Sequence, residues 1–219
     1  MEFNPRGFFG DSNAENLDLI SMEQTHSNTV CLIDRDSQGQ ICVINHDLPA
    51  IYQHKAFIKN DLELTHENAS PFRKLNSSFV VNSDAMITCR SDVILSVRTA
   101  DCLPILIKAP PYIAVIHAGR QGTLDEISYR VAQCLDYLGA SAANIWFGPH
   151  ACVCCYEIHS ETATHFDMLT ENRYQLANGL GKISSDLTSK LCTFCDHPSY
   201  YSYRKGDQLK RNVFYLMKK

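Results

Sequence analysis

A cysteine stands before one apolar run and a histidine after the next: Cys102 precedes "LPILIK" and His117 follows "YIAVI". Read as an antiparallel hairpin turning at Ala109 and Pro110, the two runs place Cys102 directly across from His117. Directly opposed side chains share a face with Cβ atoms about 4.5–5.5 Å apart. That is close enough for the pair to share a metal ion, or for the imidazole to activate the thiol as a nucleophile. A one-residue slip would send them to opposite faces, and Pro104, which cannot donate to a ladder, works against this register. The plain alternative is a small core cysteine and a satisfied buried histidine. The surroundings argue for a site instead. "HAGRQG" sets two glycines beside His117 and leads into a helix start whose amides and dipole favour an anion. Thr99 and Asp101 lie beside Cys102, placed to orient a ligand or a water.

The elements that must position these residues follow from the pattern around them. From Phe79, "FVV", "AMIT" and "VILSV" are short β-branched runs separated by turn residues, the signature of a sheet. The period then changes. Leu124, Ile127, Val131, Leu135 and Leu138 recur at helical spacing, Thr123 and Glu126 form a capping-box pattern, and Gly139 is a C-terminal stop. "NIWF" reads as a further strand, "SETATHFDML" and the segment from Ile183 to Leu191 as helices, and "YYSY" and "NVFYLM" as closing strands. The polar stretch from Asp34 to Ser78, interrupted by "ICVI" and "PAIYQHKAFI", reads as an excursion or flap over the core. Its His46, His54 and His66 read as exposed loop residues. Strands mixed with helices, without regular βαβ alternation, predict an α+β domain.

The chain has 219 residues, 45% of them apolar, enough to bury a full core as a single domain over residues 1–219. The net charge is −4. Basic residues are scattered except near the C-terminus (Arg204, Lys205, Lys210, Arg211, Lys218, Lys219), which reads as a solvated tail, so no nucleic-acid partner is expected. No segment approaches the roughly 18 apolar residues that span a bilayer, and "MEFNPRGFFG" does not look like a secretory leader, so no membrane partner is expected. Ten cysteines in such a chain are read as reduced thiols of a cytoplasmic protein. "GPHACVCCYEI" holds His150, Cys152, Cys154 and Cys155, whose composition alone suggests a second metal site, against which stands that vicinal Cys154 and Cys155 do not easily ligate one tetrahedral zinc together. Cys192 and Cys195 form a C-x-x-C that reads as two reduced structural thiols, without a second pair at zinc-ribbon spacing.

"QTHS", "DAMIT", "TADCLP", "HAGRQGT", "GPHACVCCYEI" and "SYRKGDQLKR" occur in the order found in the laccase-domain family, which this chain resembles over about residues 21–217. That family, long described as multicopper polyphenol oxidases, is linked to purine nucleoside metabolism. The resemblance implies mixed β-sheets packed together and flanked by helices. It also implies one zinc ion on His26, Cys102 and His117, with a fourth position left for water or substrate as in a catalytic site. Such a metal lowers the pKa of bound water. The implied chemistry is deamination of adenosine or phosphorolysis of purine nucleosides, with a nucleoside and phosphate as small-molecule partners; some bacterial members are linked to amide hydrolysis in peptidoglycan precursors. Catalytic roles fall on Cys102, His117 and Asp101, and substrate contacts on Arg120, Gln121 and Thr123.

The chain departs from the family pattern in two places. Arg120 and Gln121 stand where the family commonly has Trp-Arg, and the family's glycine-rich N-terminal loop does not follow "RGFFG". Three other readings stay open: a metal-free cysteine hydrolase using Cys102 and His117, a catalytically weak protein that binds a ligand or partner, and a copper (Cu2+) phenol oxidase.

Overall fold

The computed structural model describes residues 8–9, 17–47, 50–53 and 75–218. Among them an eight-stranded mixed sheet runs β14 (Ile183–Thr188), β11 (Ala143–Phe147), β9 (Leu103–Ala109), β10 (Tyr112–Ala118), β7 (Ala85–Thr88), β3 (Val30–Arg35), β4 (Ile41–Asp47) and β5 (Ala50–Gln53). A five-stranded sheet runs β1 (Phe8–Phe9), β15 (Asn212–Met217), β8 (Val93–Thr99), β2 (Leu17–Glu23) and β6 (Leu75–Asn82). A small ribbon pairs β12 (Glu157–His159) with β13 (Thr164–His165). The helices are α1 (Arg120–Leu124), α2 (Ile127–Tyr137) and α3 (Met168–Gly179). This is the expected α+β fold of packed mixed sheets flanked by helices.

Three layers result, and β10 shows why. Its run alternates between two apolar clusters: Ile113 and Val115 lie in one with Leu95, Val97 and Phe214 of the smaller sheet, while Ala114 and Ile116 lie in the other with Val131 and Leu135 of α2. A strand covered on both faces needs an unbroken apolar sequence, which "YIAVI" supplies. On α2, Ile127, Val131 and Leu135 form the buried stripe.

The hairpin exists, but its register differs from the expected one. The turn falls at Pro110 and Pro111, and Ala109 pairs with Tyr112, Pro104 with His117 and Leu103 with Ala118. Two residues that cannot donate are thereby kept out of the ladder. Cys102 lies just past the end of β9, displaced from its expected partner by two positions. An even displacement preserves the face, so Cys102 and His117 still converge.

The expected capping box does not form. The Thr123 hydroxyl donates back to Gly119 O at 2.8 Å and accepts from Asn172 Nδ2 at 2.8 Å. Glu126 takes a left-handed φ of 60° that splits the helix into α1 and α2. Gly139, at φ 73°, does end the helical segment. The helix expected from Ser160 begins only at Met168, where Asp167 caps it by accepting from Thr170 N at 3.0 Å. Ile183–Thr188 is a strand rather than a helix, because the edge of β11 offers it parallel pairing. "YYSY" forms no strand: the Asn212 side chain takes both backbone groups of Tyr201, at 2.9 and 2.8 Å.

The stretch from 34 to 78 is not simply an excursion. β4 and β5 belong to the large sheet, with Ile41 and Val43 buried between the sheets. Arg35 ties the same region to Asp18 at 2.6 Å and Asp92 at 2.8 Å. His46 lies in β4; His54 and His66 lie outside the described residues. Among the described residues no helix is long and apolar enough to cross a membrane.

Candidate metal centre

Three chain segments deliver His26, Cys102 and His117 to one place. His26 is on the turn between β2 and β3, Cys102 on the turn between β8 and β9, and His117 near the end of β10. Their donor atoms all lie within 4.8 Å of one another, a grouping that could hold a metal ion. Cys102 Sγ is 3.9 Å from His26 Nε2, and the two imidazoles meet edge to face with centroids 4.8 Å apart.

The buried carboxylate of Asp84 organises the group. Its Oδ1 accepts from His117 Nδ1 at 2.8 Å and from His26 N at 3.1 Å. Its Oδ2 accepts from Ser27 N at 2.8 Å and Ser27 Oγ at 2.7 Å. These bonds hold His26 at φ 59°, a backbone state costly for a non-glycine residue. Burial alone would raise the Asp84 carboxyl, but hydrogen bonds from His117 and Ser27 outweigh it and hold the group at about 2. Burial lowers the pKa of His117 against the pull of Asp84. The imidazole is therefore neutral, donates through Nδ1, and keeps the Nε2 lone pair for a ligand.

Gly119 completes the cradle. A Cβ built there would meet His26 Cδ2 at 3.0 Å, Cys102 Sγ at 3.3 Å and His117 Cε1 at 3.6 Å. Burial pushes the Cys102 thiol up to about 12, with Asp101 adding to the effect. Beside a neutral imidazole, such a thiol is poorly prepared to act as a nucleophile and well placed to lose its proton to a cation.

The cluster opens into a cleft of about 1010 Å³ whose walls include Arg98, Arg120, Arg204, Arg211, Tyr156 and Tyr203. Arg204 stacks its guanidinium 4.1 Å over the Tyr156 ring. Arg204 and Arg211 thus belong to the cleft rather than to a solvated tail. Asp101, at φ 85°, accepts from Thr193 Oγ1 at 2.7 Å and Arg204 N at 2.8 Å, so each of its oxygens holds a wall segment. Arg120 and Gln121 line the cleft, and the Gln121 amide donates to Asp125 at 3.0 Å. Thr123 is buried, with its hydroxyl engaged by Gly119 and Asn172.

The sequence reading did not assign Asp84, Tyr156, Arg98, Arg204 or Arg211 to the site. The signal for Asp84 was available: a carboxylate abutting the apolar run "AMIT" must find buried donors.

The chain as a whole is similar to several known proteins. A family model described as multi-copper polyphenol oxidoreductase laccase matches residues 4–189. Adenosine deaminase RL5, from an unknown prokaryotic organism, is 27% identical over 148 residues, covering 56% of this chain and 56% of that protein. The chain thus spans little more than half of that relative's length. Purine nucleoside phosphorylase Cj1217c of Campylobacter jejuni is 25% identical over 233 aligned positions, covering 89% of this chain and 99% of that protein. In fold, the chain is similar to the crystal structure of the Bacillus licheniformis hypothetical protein YfiH, with a TM-score of 0.60 and 18% identity, over 90% of this chain and 73% of that one.

Proposed function

The chain belongs to the multi-copper polyphenol oxidoreductase laccase family, and from that premise we propose that it is a zinc-dependent purine nucleoside enzyme whose principal reaction is phosphorolysis. The observation that carries the reading is one cleft that holds a His26–Cys102–His117 donor set beside four guanidinium groups. Two imidazole nitrogens and one sulfur fit zinc, whose protein ligands are of these types and whose catalytic sites keep a position open. The buried Asp84–His117 hydrogen bond is the partner that a ligating histidine requires. When bound, the ion supplies positive charge and Lewis acidity beside the reacting groups.

The chain's own residues supply the rest. Arg98, Arg120, Arg204 and Arg211 surround the cleft with fixed positive charge suited to phosphate. Phosphate attacks the ribose C1′ as the bond to the purine nitrogen breaks, and the proton that the phosphate gives up goes to the departing base. The Tyr156 ring, stacked by Arg204, offers a flat wall for the base. Asp101 acts as a positioning residue, holding the backbone of Arg204 and the Thr193 hydroxyl. Ten cysteines without a disulfide suit a reducing compartment, which we take to be the cytoplasm.

Deamination of adenosine is the second reading, favoured by the likeness to adenosine deaminase RL5. Incubating the zinc-loaded protein with adenosine and inosine, with and without phosphate, separates the two. Free base and ribose 1-phosphate formed only with phosphate support phosphorolysis; inosine and ammonia formed without it support deamination. No conversion of either nucleoside would overturn the proposal.

A further inference from the structure

Four more cysteines meet outside the cleft. Cys152 and Cys155 form one C-x-x-C, Cys192 and Cys195 a second, and their four sulfurs all lie within 4.8 Å of one another. The reading of Cys192 and Cys195 as an isolated pair is therefore corrected: the second pair is present, masked in sequence by the intervening Cys154 and by the long segment, carrying α3 and β14, that separates the two pairs. The sulfurs of Cys152 and Cys192 are 3.2 Å apart and those of Cys155 and Cys195 are 3.4 Å apart. Thiolates at about 2.3 Å from a tetrahedral zinc stand about 3.8 Å from each other, so small side-chain adjustments suffice.

We propose that these four thiols form a structural zinc site, separate from the His26–Cys102–His117 centre. The backbone is already arranged for it. Cys152–x–x–Cys155 is a tight turn in which Cys155 N donates to Cys152 O at 2.8 Å, and the Cys192 turn is closed by Asp196 N donating to Cys192 O at 2.8 Å. The turns are joined by a bridge between His150 and Cys192 and by Cys152 N donating to Cys192 Sγ at 3.4 Å. Binding replaces four S–H bonds with four Zn–S bonds and releases four protons. All four coordination positions are then filled by protein, which makes the site structural rather than catalytic.

Its position gives it a task. Tyr156 directly follows Cys155, and Thr193, between Cys192 and Cys195, donates to Asp101 beside Cys102. The ion would clamp two walls of the cleft to each other.

The test is metal analysis on full-length protein purified with a reductant. Cys102→Ala, which disables the first centre, is expected to retain about one zinc per chain, and adding Cys195→Ser to it should remove that zinc. This outcome stands even if the first centre proves empty in the unaltered protein. Should the double variant fail to fold, alkylation of the unaltered protein reads the same site. Cys152, Cys155, Cys192 and Cys195 should be protected and exposed Cys154 modified, with protection lost on chelation. A Cys102→Ala protein without zinc, equal alkylation of all five thiols, or disulfides joining Cys152 to Cys192 and Cys155 to Cys195 would overturn the proposal.

Discussion

The buried carboxylate of Asp84 accepts a 2.8 Å hydrogen bond from Nδ1 of His117 while also gripping the turn that carries His26. One side chain thereby sets the tautomer of one candidate ligand and the backbone of another. Asp84→Asn should weaken zinc binding about 10–100-fold, the usual cost of losing such a partner, as read by competition with a chromophoric chelator. Unchanged affinity would remove Asp84 from the account.

The same carboxylate predicts an acid limb. Its pKa in the fold is lowered, to about 2 from an ordinary 3.8. The stability it contributes is therefore complete above the ordinary value and is lost as pH falls through about 2. Between pH 4 and 2, the melting temperature of the unaltered protein should fall more steeply than that of Asp84→Asn. Parallel curves would contradict this.

Gly119 has φ −83° and ψ 173°, a backbone any residue adopts. Gly119→Ala should therefore fold, yet its methyl group falls 3.0 Å from His26 and 3.3 Å from Cys102. The expected result is a near-normal melt with weakened zinc binding. A variant with full metal affinity would show that the three side chains have room to move.

Arg120 lines the cleft beside the His26–Cys102–His117 group. If it binds phosphate, Arg120→Ala should raise the KM for phosphate about tenfold or more, the worth of one charge-assisted contact, with a smaller change for the nucleoside. An equal effect on both substrates would assign it to general shaping of the cleft.

The polar stretch after β3 carries a structural prediction. Ile41, only 7% exposed, packs between the sheets. Ile41→Ala should cost about 2 kcal/mol or more in a denaturant titration. No loss would return this segment to the status of a surface excursion.

Much of the architecture was legible because β-branched runs and the α2 stripe have clear periods. The register of the β9–β10 hairpin was not, since Ala109, Pro110 and Pro111 all suit a turn and only the ladder's need for donors chooses among them. Ile183–Thr188 misled for a related reason: a weakly patterned edge strand takes its conformation from its neighbour. At the site, the nearness of Cys102 and His117 followed from alternation in strands. His26 followed only from family resemblance, because a left-handed turn held by a distant aspartate leaves no local pattern. Two of the four cleft arginines, Arg204 and Arg211, come from a C-terminal segment whose charges look the same whether they face solvent or substrate.

In the proposed reaction, zinc held by His26, Cys102 and His117, rather than the Cys102 thiol itself, drives phosphorolysis. The direct measurement is phosphate-dependent cleavage of inosine by protein stripped of zinc, then reloaded, alongside a Cys102→His variant that keeps a metal ligand but has no thiol. Loss of turnover on stripping, recovery with zinc, and zinc-dependent turnover in Cys102→His are the expected results. Turnover that survives removal of zinc, is blocked by thiol alkylation, and is absent from Cys102→His would contradict the proposal.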